Sequence, residues 1–120
     1  MFGLESNIRY FLCRHTADAG SGIDALCNIV TSESPFTPTS GDAFLFFDGE
    51  RHSVHILRWD TDGFIVYIKR LEYGAFECLN IKSGAGFCEI TWETFCLIMC
   101  GVDLRSVRWR KRYRVRNLGL

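Results

Sequence analysis

The spacing of hydrophobic and polar residues changes along the chain, and in the first third it predicts one strand followed by one helix. The apolar run "IRYFLC", residues 8–13, predicts a first strand. It is followed by a single helical stripe of apolar residues at positions i, i+3, i+4 and i+7: Ile23, Leu26, Cys27 and Val30. Ser21 and Asp24 form a variant of the capping box. The pattern therefore predicts a helix from near Gly22 to near Thr31.

From residue 43 onward the period becomes two. A polar loop containing both prolines leads into four segments that are typical of strands: "AFLFF", "SVHILRW", "FIVYIKRL" and "AFECL". The short polar segments between them predict an antiparallel meander. "DTDG", residues 60–63, predicts a hairpin in which Gly63 supplies a positive φ, and Gly74 is expected to make the next turn.

A second helical stripe follows the short segment "FCEI". Thr91 is expected to cap this helix and Gly101 to end it, and its apolar positions are Trp92, Phe95, Cys96 and Met99. The whole pattern predicts an α+β fold, an antiparallel β-meander of about five strands with two helices packed on one face. We expect one domain over residues 1–104, followed by a distinct strand or tail over residues 105–120.

Composition supports a single domain with its own core. The chain has 120 residues, of which 48% are hydrophobic, and it shows no signal-peptide pattern or membrane-length apolar run, so a cytoplasmic protein without membrane contact is expected. The six cysteines lie mostly among apolar neighbours, which is typical of reduced, buried thiols. No Cys-x-x-Cys occurs, so we expect neither a metal nor a cofactor.

Charge divides the chain into two unequal parts. Residues 105–116, "RSVRWRKRYRVR", hold seven of the fourteen Lys and Arg residues and are called the basic segment below. Residues 1–104 carry the other seven and all fourteen carboxylates, a net formal charge of −7. The formal net charge of zero for the whole chain therefore hides a dipole.

Arginines alternate with apolar and aromatic residues along most of the basic segment, and this pattern is suited to binding a polyanion such as DNA. If it is extended, arginines on one face stand roughly 6.6–6.8 Å apart, and Trp109 and Tyr113 on the other face could stack on bases. The predicted DNA-binding residues of the segment are Arg105, Arg108, Arg110, Lys111, Arg112, Arg114 and Arg116. Two alternatives stay open: a mobile solvated tail, or an edge strand whose arginines neutralise carboxylates of the body.

No catalytic constellation is visible. The carboxylates are scattered, and "SGAGF" lacks the Lys and the following helix of a phosphate-binding loop. A small metal-dependent nuclease would need three converging carboxylates, and no spacing indicates them. The sequence therefore predicts a protein that is not an enzyme, with the nuclease as the less favoured alternative.

Several short motifs, in one order, resemble a known family. They are Ser40-Gly41-Asp42, Trp59, Gly63-Phe64, Tyr67, Lys69-Arg70-Leu71-Glu72, and Gly74 with Phe76. The chain, from about residue 8 to residue 113, is similar to the TnpB accessory protein, the second-reading-frame product of IS-sixty-six-type insertion sequences. Its Arg-Lys-Arg-Tyr ending resembles the variety found in Bacteroides-like bacteria.

The resemblance implies a small non-catalytic protein that assists the transposase of its element, by binding DNA or by assembling with the transposase. An adaptor that docks on the transposase without touching DNA is the main alternative. Lys69 and Arg70 form a second basic cluster and are further candidates for DNA contact, although an ion pair with Glu72 is as good an interpretation. Trp59 and Tyr67 are expected to be packing anchors rather than base-stacking residues.

Two stretches depart from the family pattern. Residues 17–22 keep an Asp but lose the two cations that the family commonly carries there, and "DGERHSVH" retains only Arg51 of an Arg-rich loop. Three interpretations follow: DNA affinity has weakened, DNA binding has retreated to the basic segment, or DNA was never the central ligand.

Overall fold

The computed structural model describes residues 3–14, 16–18, 20–77 and 86–101. Within them the elements are, in chain order, β1 (Tyr10–Cys13), α1 (Ile23–Glu33), a 3₁₀ turn (Pro38–Ser40), β2 (Ala43–Phe47), β3 (Ser53–Asp60), β4 (Gly63–Arg70), β5 (Phe87–Ile90) and α2 (Trp92–Met99). The predicted α+β class is confirmed. The predicted boundary between residues 104 and 105 lies outside the described residues.

The five strands form one mixed sheet in the order β4-β3-β2-β1-β5. Strands β2, β3 and β4 are the predicted antiparallel meander, and β5 also pairs antiparallel, with β1. The sheet is not purely antiparallel, because β1 and β2 run parallel, with Tyr10 opposite Ala43. A parallel pair needs a long crossover, and α1 lies in the connection that supplies it.

The two helices cover opposite faces of the sheet, which corrects the expectation that both pack on one face. Side chains alternate along a strand, so neighbouring residues of β1 point to different layers. Tyr10 and Leu12 belong to a cluster with Phe95 and Ile98 of α2. The other cluster joins alternate strand residues to α1: Phe11, Phe44, Phe46 and Leu57 with Leu26 and Val30.

Double coverage explains the uninterrupted apolar run of β2. All five of its residues are buried, although an alternating pattern would suffice for a sheet with one wet face. Aromatic contacts fix the layers, including Tyr10 stacked on Phe95 with ring centroids 4.3 Å apart. The Tyr10 hydroxyl donates to the Glu5 carbonyl at 2.8 Å, and burial raises the pKa of Tyr10 to about 12.

The helix ends agree only partly with the sequence signals. Thr91 caps α2 as predicted, its hydroxyl accepting from the Thr94 amide at 3.1 Å, and Gly101 follows the helix with a φ of 74°. The predicted capping box before α1 is wrong, since Gly22 is the N-cap residue and no side chain bonds there. Helix α1 also runs two residues beyond Thr31.

The turns confirm two predictions and correct two others. The hairpin over residues 60–63 is present, but the positive φ falls on Thr61 (56°) and not on Gly63. Gly74 lies in a bend after β4, as the predicted turn requires, and its φ is 75°. Residues 75–77 of "AFECL" form no strand, and the rest of that segment lies outside the described residues. Phe76 is instead buried against Phe47.

Candidate nucleic-acid interface

The predicted DNA-binding residues divide into two groups in the structure. The basic segment, with its seven cations and the stacking candidates Trp109 and Tyr113, lies outside the described residues. Lys69 and Arg70 are described, at the end of β4, and their side chains leave the sheet on opposite faces. The local surroundings of these two cations therefore differ.

Lys69 binds the carboxyl end of α2. Its Nζ donates to the Met99 carbonyl oxygen at 2.6 Å, across a separation of 30 residues. The last carbonyls of a helix have no intrahelical partner and carry the negative end of its dipole, so an ammonium group there is favourable. Lys69 thus has a structural role that ties β4 to α2.

Arg70 has a weaker partner. Its guanidinium lies 3.5 Å from a Glu72 carboxylate oxygen, and both side chains are largely exposed. Exposed pairs of this kind contribute little to stability. Arg70 therefore stays accessible to an external anion or carboxylate.

The Lys69–Met99 contact places the end of α2 beside the end of β4. The chain continues from there through Gly101, and the basic segment that follows lies outside the described residues.

The Ser40-Gly41-Asp42 motif organises an ion pair that sequence reasoning missed. Arg9 makes a two-pronged contact with Asp42, at 3.0 Å from Nε and 2.9 Å from Nη2. The Ser40 hydroxyl donates to the same carboxylate at 2.8 Å. Arg9 is 55% exposed and Asp42 only 8%, and the hydrogen bond and charge of Asp42 raise the pKa of Arg9.

The ion pair is surrounded by contacts from other parts of the chain. The Arg9 guanidinium lies over the rings of Phe11 and Phe36, 5.3 and 5.6 Å from their centroids. Gly41 adopts a left-handed conformation, with a φ of 91°, and its carbonyl accepts from Arg58 Nε at 3.3 Å. The family-like motif at residues 40–42 is therefore structural, and it joins the starts of β1 and β2.

The two aromatic residues singled out in the sequence pack in the sheet. Trp59 meets Phe64 edge-on, with ring centroids 4.9 Å apart, across the β3–β4 hairpin. Tyr67 is partly buried against the cluster on the α2 face. Both predictions of a packing role are confirmed.

The described ranges contain no candidate metal site. Across residues 3–14, 16–18, 20–77 and 86–101, no three His, Cys, Asp or Glu side chains are grouped so that they could hold a metal ion. The cysteines described there differ in exposure: Cys13 is buried and Cys100 is exposed, and burial raises the pKa of Cys27 and Cys96. Within the same residues, neither helix is long and apolar enough to cross a bilayer.

Comparison with known proteins identifies the family. The model of the family described as IS66 Orf2 like protein matches residues 8–109, which include Arg105, Arg108 and Trp109 of the basic segment. The chain belongs to the IS66 Orf2-like family. It is also 29% identical over 108 residues to a protein of Sinorhizobium fredii named uncharacterized protein y4jC, covering 90% of this chain and 91% of that one. No solved structure matches it significantly.

Membership confirms the resemblance drawn from the sequence motifs. IS66 Orf2-like proteins are accessory proteins of insertion sequences, so the chain is connected with DNA transposition. The match continues beyond the last described residue into the basic segment. The first five residues of the segment, 105–109, are thus part of what the family model matches.

Proposed function

We propose that this IS66 Orf2-like protein assists transposition as a non-catalytic factor that binds DNA through the basic segment, in company with the transposase of the same element. The arginines and Lys111 would contact phosphates, and Trp109 and Tyr113 would stack on unpaired bases. Lys69 and Arg70 would border this surface, because they lie where α2 ends.

The proposal rests on how the cations are divided between the body, residues 1–104, and the basic segment. Several cations of the body already bind acceptors within the fold: Arg9 binds Asp42, Arg58 binds the Gly41 carbonyl, and Lys69 binds the Met99 carbonyl. The body as a whole is acidic and repels DNA. This division supports the seven cations of residues 105–116 as the main source of affinity for DNA.

A salt series with full-length variants tests the proposal. In one variant the five even-numbered arginines from 108 to 116 become Gln, and in a matched variant they become Lys, which keeps the charge. Binding of labelled duplex and single-stranded DNA is measured by fluorescence anisotropy. The logarithm of the duplex binding constant should fall with the logarithm of salt concentration, with a slope of roughly −0.9 per phosphate bound, and each arginine that no longer binds a phosphate should flatten the slope by that amount.

The two variants give opposite expectations. The Gln variant should bind duplex weakly and with little salt dependence, whereas the Lys variant should keep most of the wild-type slope. Equal binding by the wild type and the Gln variant would refute the role of the segment. Trp109→Ala should weaken single-strand binding more than duplex binding, since stacking needs an open base face.

The same proteins separate the alternative functions. An adaptor would show flat, weak DNA binding but would co-purify with the transposase of its own element, and the Gln variant would lose that partner if the segment docks on an acidic surface. A nuclease would cut supercoiled plasmid in the presence of Mg²⁺ or Mn²⁺.

A further inference from the structure

Strand β4 has one neighbour among the described strands and is an edge of the sheet that those five strands form. It is eight residues long, which is long for an edge, and an edge strand presents unpaired backbone groups. Its last three residues are exposed, including Ile68 at 64%. A long edge with an exposed isoleucine is a typical site of strand addition.

The charges at the two ends of β4 have opposite sign. The hairpin end carries Asp60 and Asp62, and the far end carries Lys69 and Arg70. An antiparallel copy of the same strand would therefore bring an acidic end against a basic end at both extremities. A parallel copy would place like charges together, which is destabilising.

The hydrogen-bonding pattern of the β3–β4 hairpin restricts the registers in which a second copy can pair with β4. In a two-residue hairpin the residues that close the turn, here Asp60 and Gly63, are a hydrogen-bonded pair, and such pairs alternate along the ladder. The outward-facing backbone groups of β4 therefore belong to Phe64, Val66, Ile68 and Arg70.

We propose that two copies of this chain pair through β4 in antiparallel orientation, with Val66 opposite Val66 of the second copy at the two-fold axis. In this register Ile68 faces Phe64, and Arg70 faces Asp62, each twice by symmetry. The exposed isoleucine gains an aromatic partner, and the salt bridges close both ends. In each copy the paired side chains lie on the sheet face that α1 covers, since Phe64 and Val66 pack against the apolar cluster that includes α1.

The neighbouring registers fit less well. Moving the second copy by two residues in one direction pairs Arg70 with Asp60 but sets Ile68 against Asp62, and in the other direction it sets Arg70 against Phe64. Among these three registers, only the one centred on Val66 gives Ile68 an aromatic partner and Arg70 an aspartate. A single strand pair is smaller than a standard-size interface, so we expect a weak, micromolar dimer. This proposal shares Arg70 with the border of the proposed DNA surface but uses no residue of the basic segment, and it does not depend on DNA binding.

A charge-swap series on the full-length chain tests the dimer. Asp62→Arg places two like-charged pairs across the interface, as does Arg70→Asp, and the double variant restores both pairs with reversed polarity. Sedimentation velocity from about 1 μM to about 1 mM protein should show a dimer for the wild type and the double variant. Each single variant should raise the dissociation constant by about tenfold or more.

The swapped side chains are exposed, so the fold should tolerate them, and circular dichroism checks this directly. Amide hydrogen exchange gives a second measure: Phe64, Val66 and Ile68 should become protected as protein concentration rises. A wild-type chain that stays monomeric throughout would overturn the proposal. So would a dimer that both single variants leave unchanged, since it would use another surface.

Discussion

Strands β2 and β4 belong to the same meander but lie in different environments. Strand β2 has a strand on each side and a helix-bearing cluster on each face, and all five residues are buried. Strand β4 has one described neighbour, and its residues are half-buried and then exposed. Both strands contain several large apolar side chains, so position in the sheet decides which strand stabilises the core and which offers a surface.

The largest expected effect is at the centre. Phe44→Ala removes a ring with no exposed surface and should lower the free energy of unfolding by about 3–5 kcal/mol. Ile68→Ala on β4 removes an exposed side chain and should change it by no more than about 0.5 kcal/mol. Urea denaturation of dilute protein measures both. Similar losses would mean that β4 is covered as well as β2.

An intermediate effect is expected at the start of β1 and β2. Arg9→Ala removes the cation that neutralises the buried Asp42 carboxylate and leaves that carboxylate only the Ser40 hydroxyl. The free energy of unfolding should fall by less than for Phe44→Ala and by more than for Ile68→Ala. Asp42→Asn should cost less, because the Arg9 guanidinium that loses its charge partner is already half in water. A double-mutant cycle isolates the coupling. An Arg9→Lys variant as stable as the wild type would exclude a role for the two-pronged geometry.

The smallest effect distinguishes the two cations that end β4. Lys69→Met keeps the apolar stem but removes the donor to Met99, and should destabilise α2 by about 0.3–1 kcal/mol. Arg70→Met removes an exposed pair and should be nearly neutral. Thermal unfolding of the two variants, matched in charge, makes the comparison. A larger loss for Arg70→Met would reverse the roles of the two cations.

Much of the fold could be predicted because its signals are local. The 3.6-residue stripes located both helices, and Thr91 and Gly101 marked the ends of α2. Short apolar runs separated by polar segments located β2, β3 and β4. Which residue of the hairpin takes positive φ depends on turn type, and Thr61 adopts it despite its branched side chain.

The arrangement of the layers depends on contacts that no local window contains. Helical periodicity shows which side of a helix is apolar but not which face of the sheet it covers. One signal was available: "YFLC" and "AFLFF" do not alternate, and uninterrupted apolar strands indicate two covered faces. A helix between the first two strands is likewise compatible with a parallel crossover.

The candidate site was less predictable than the fold. Lys69 could be recognised as a cation at a strand end, but its bond to Met99 joins residues 30 positions apart. Arg9 gave no signal in the sequence, because its partner Asp42 is 33 residues away. The role of residues 105–116, outside the described part of the chain, stays a prediction.

The placement of one helix on each side of the sheet also constrains how larger complexes can be built. With its central strands sandwiched, the protein has little open sheet surface there for another molecule to stack on. An assembly built on this sheet would then extend sideways, strand beside strand. A partner that binds this protein would therefore contact the edges of the sheet rather than its faces.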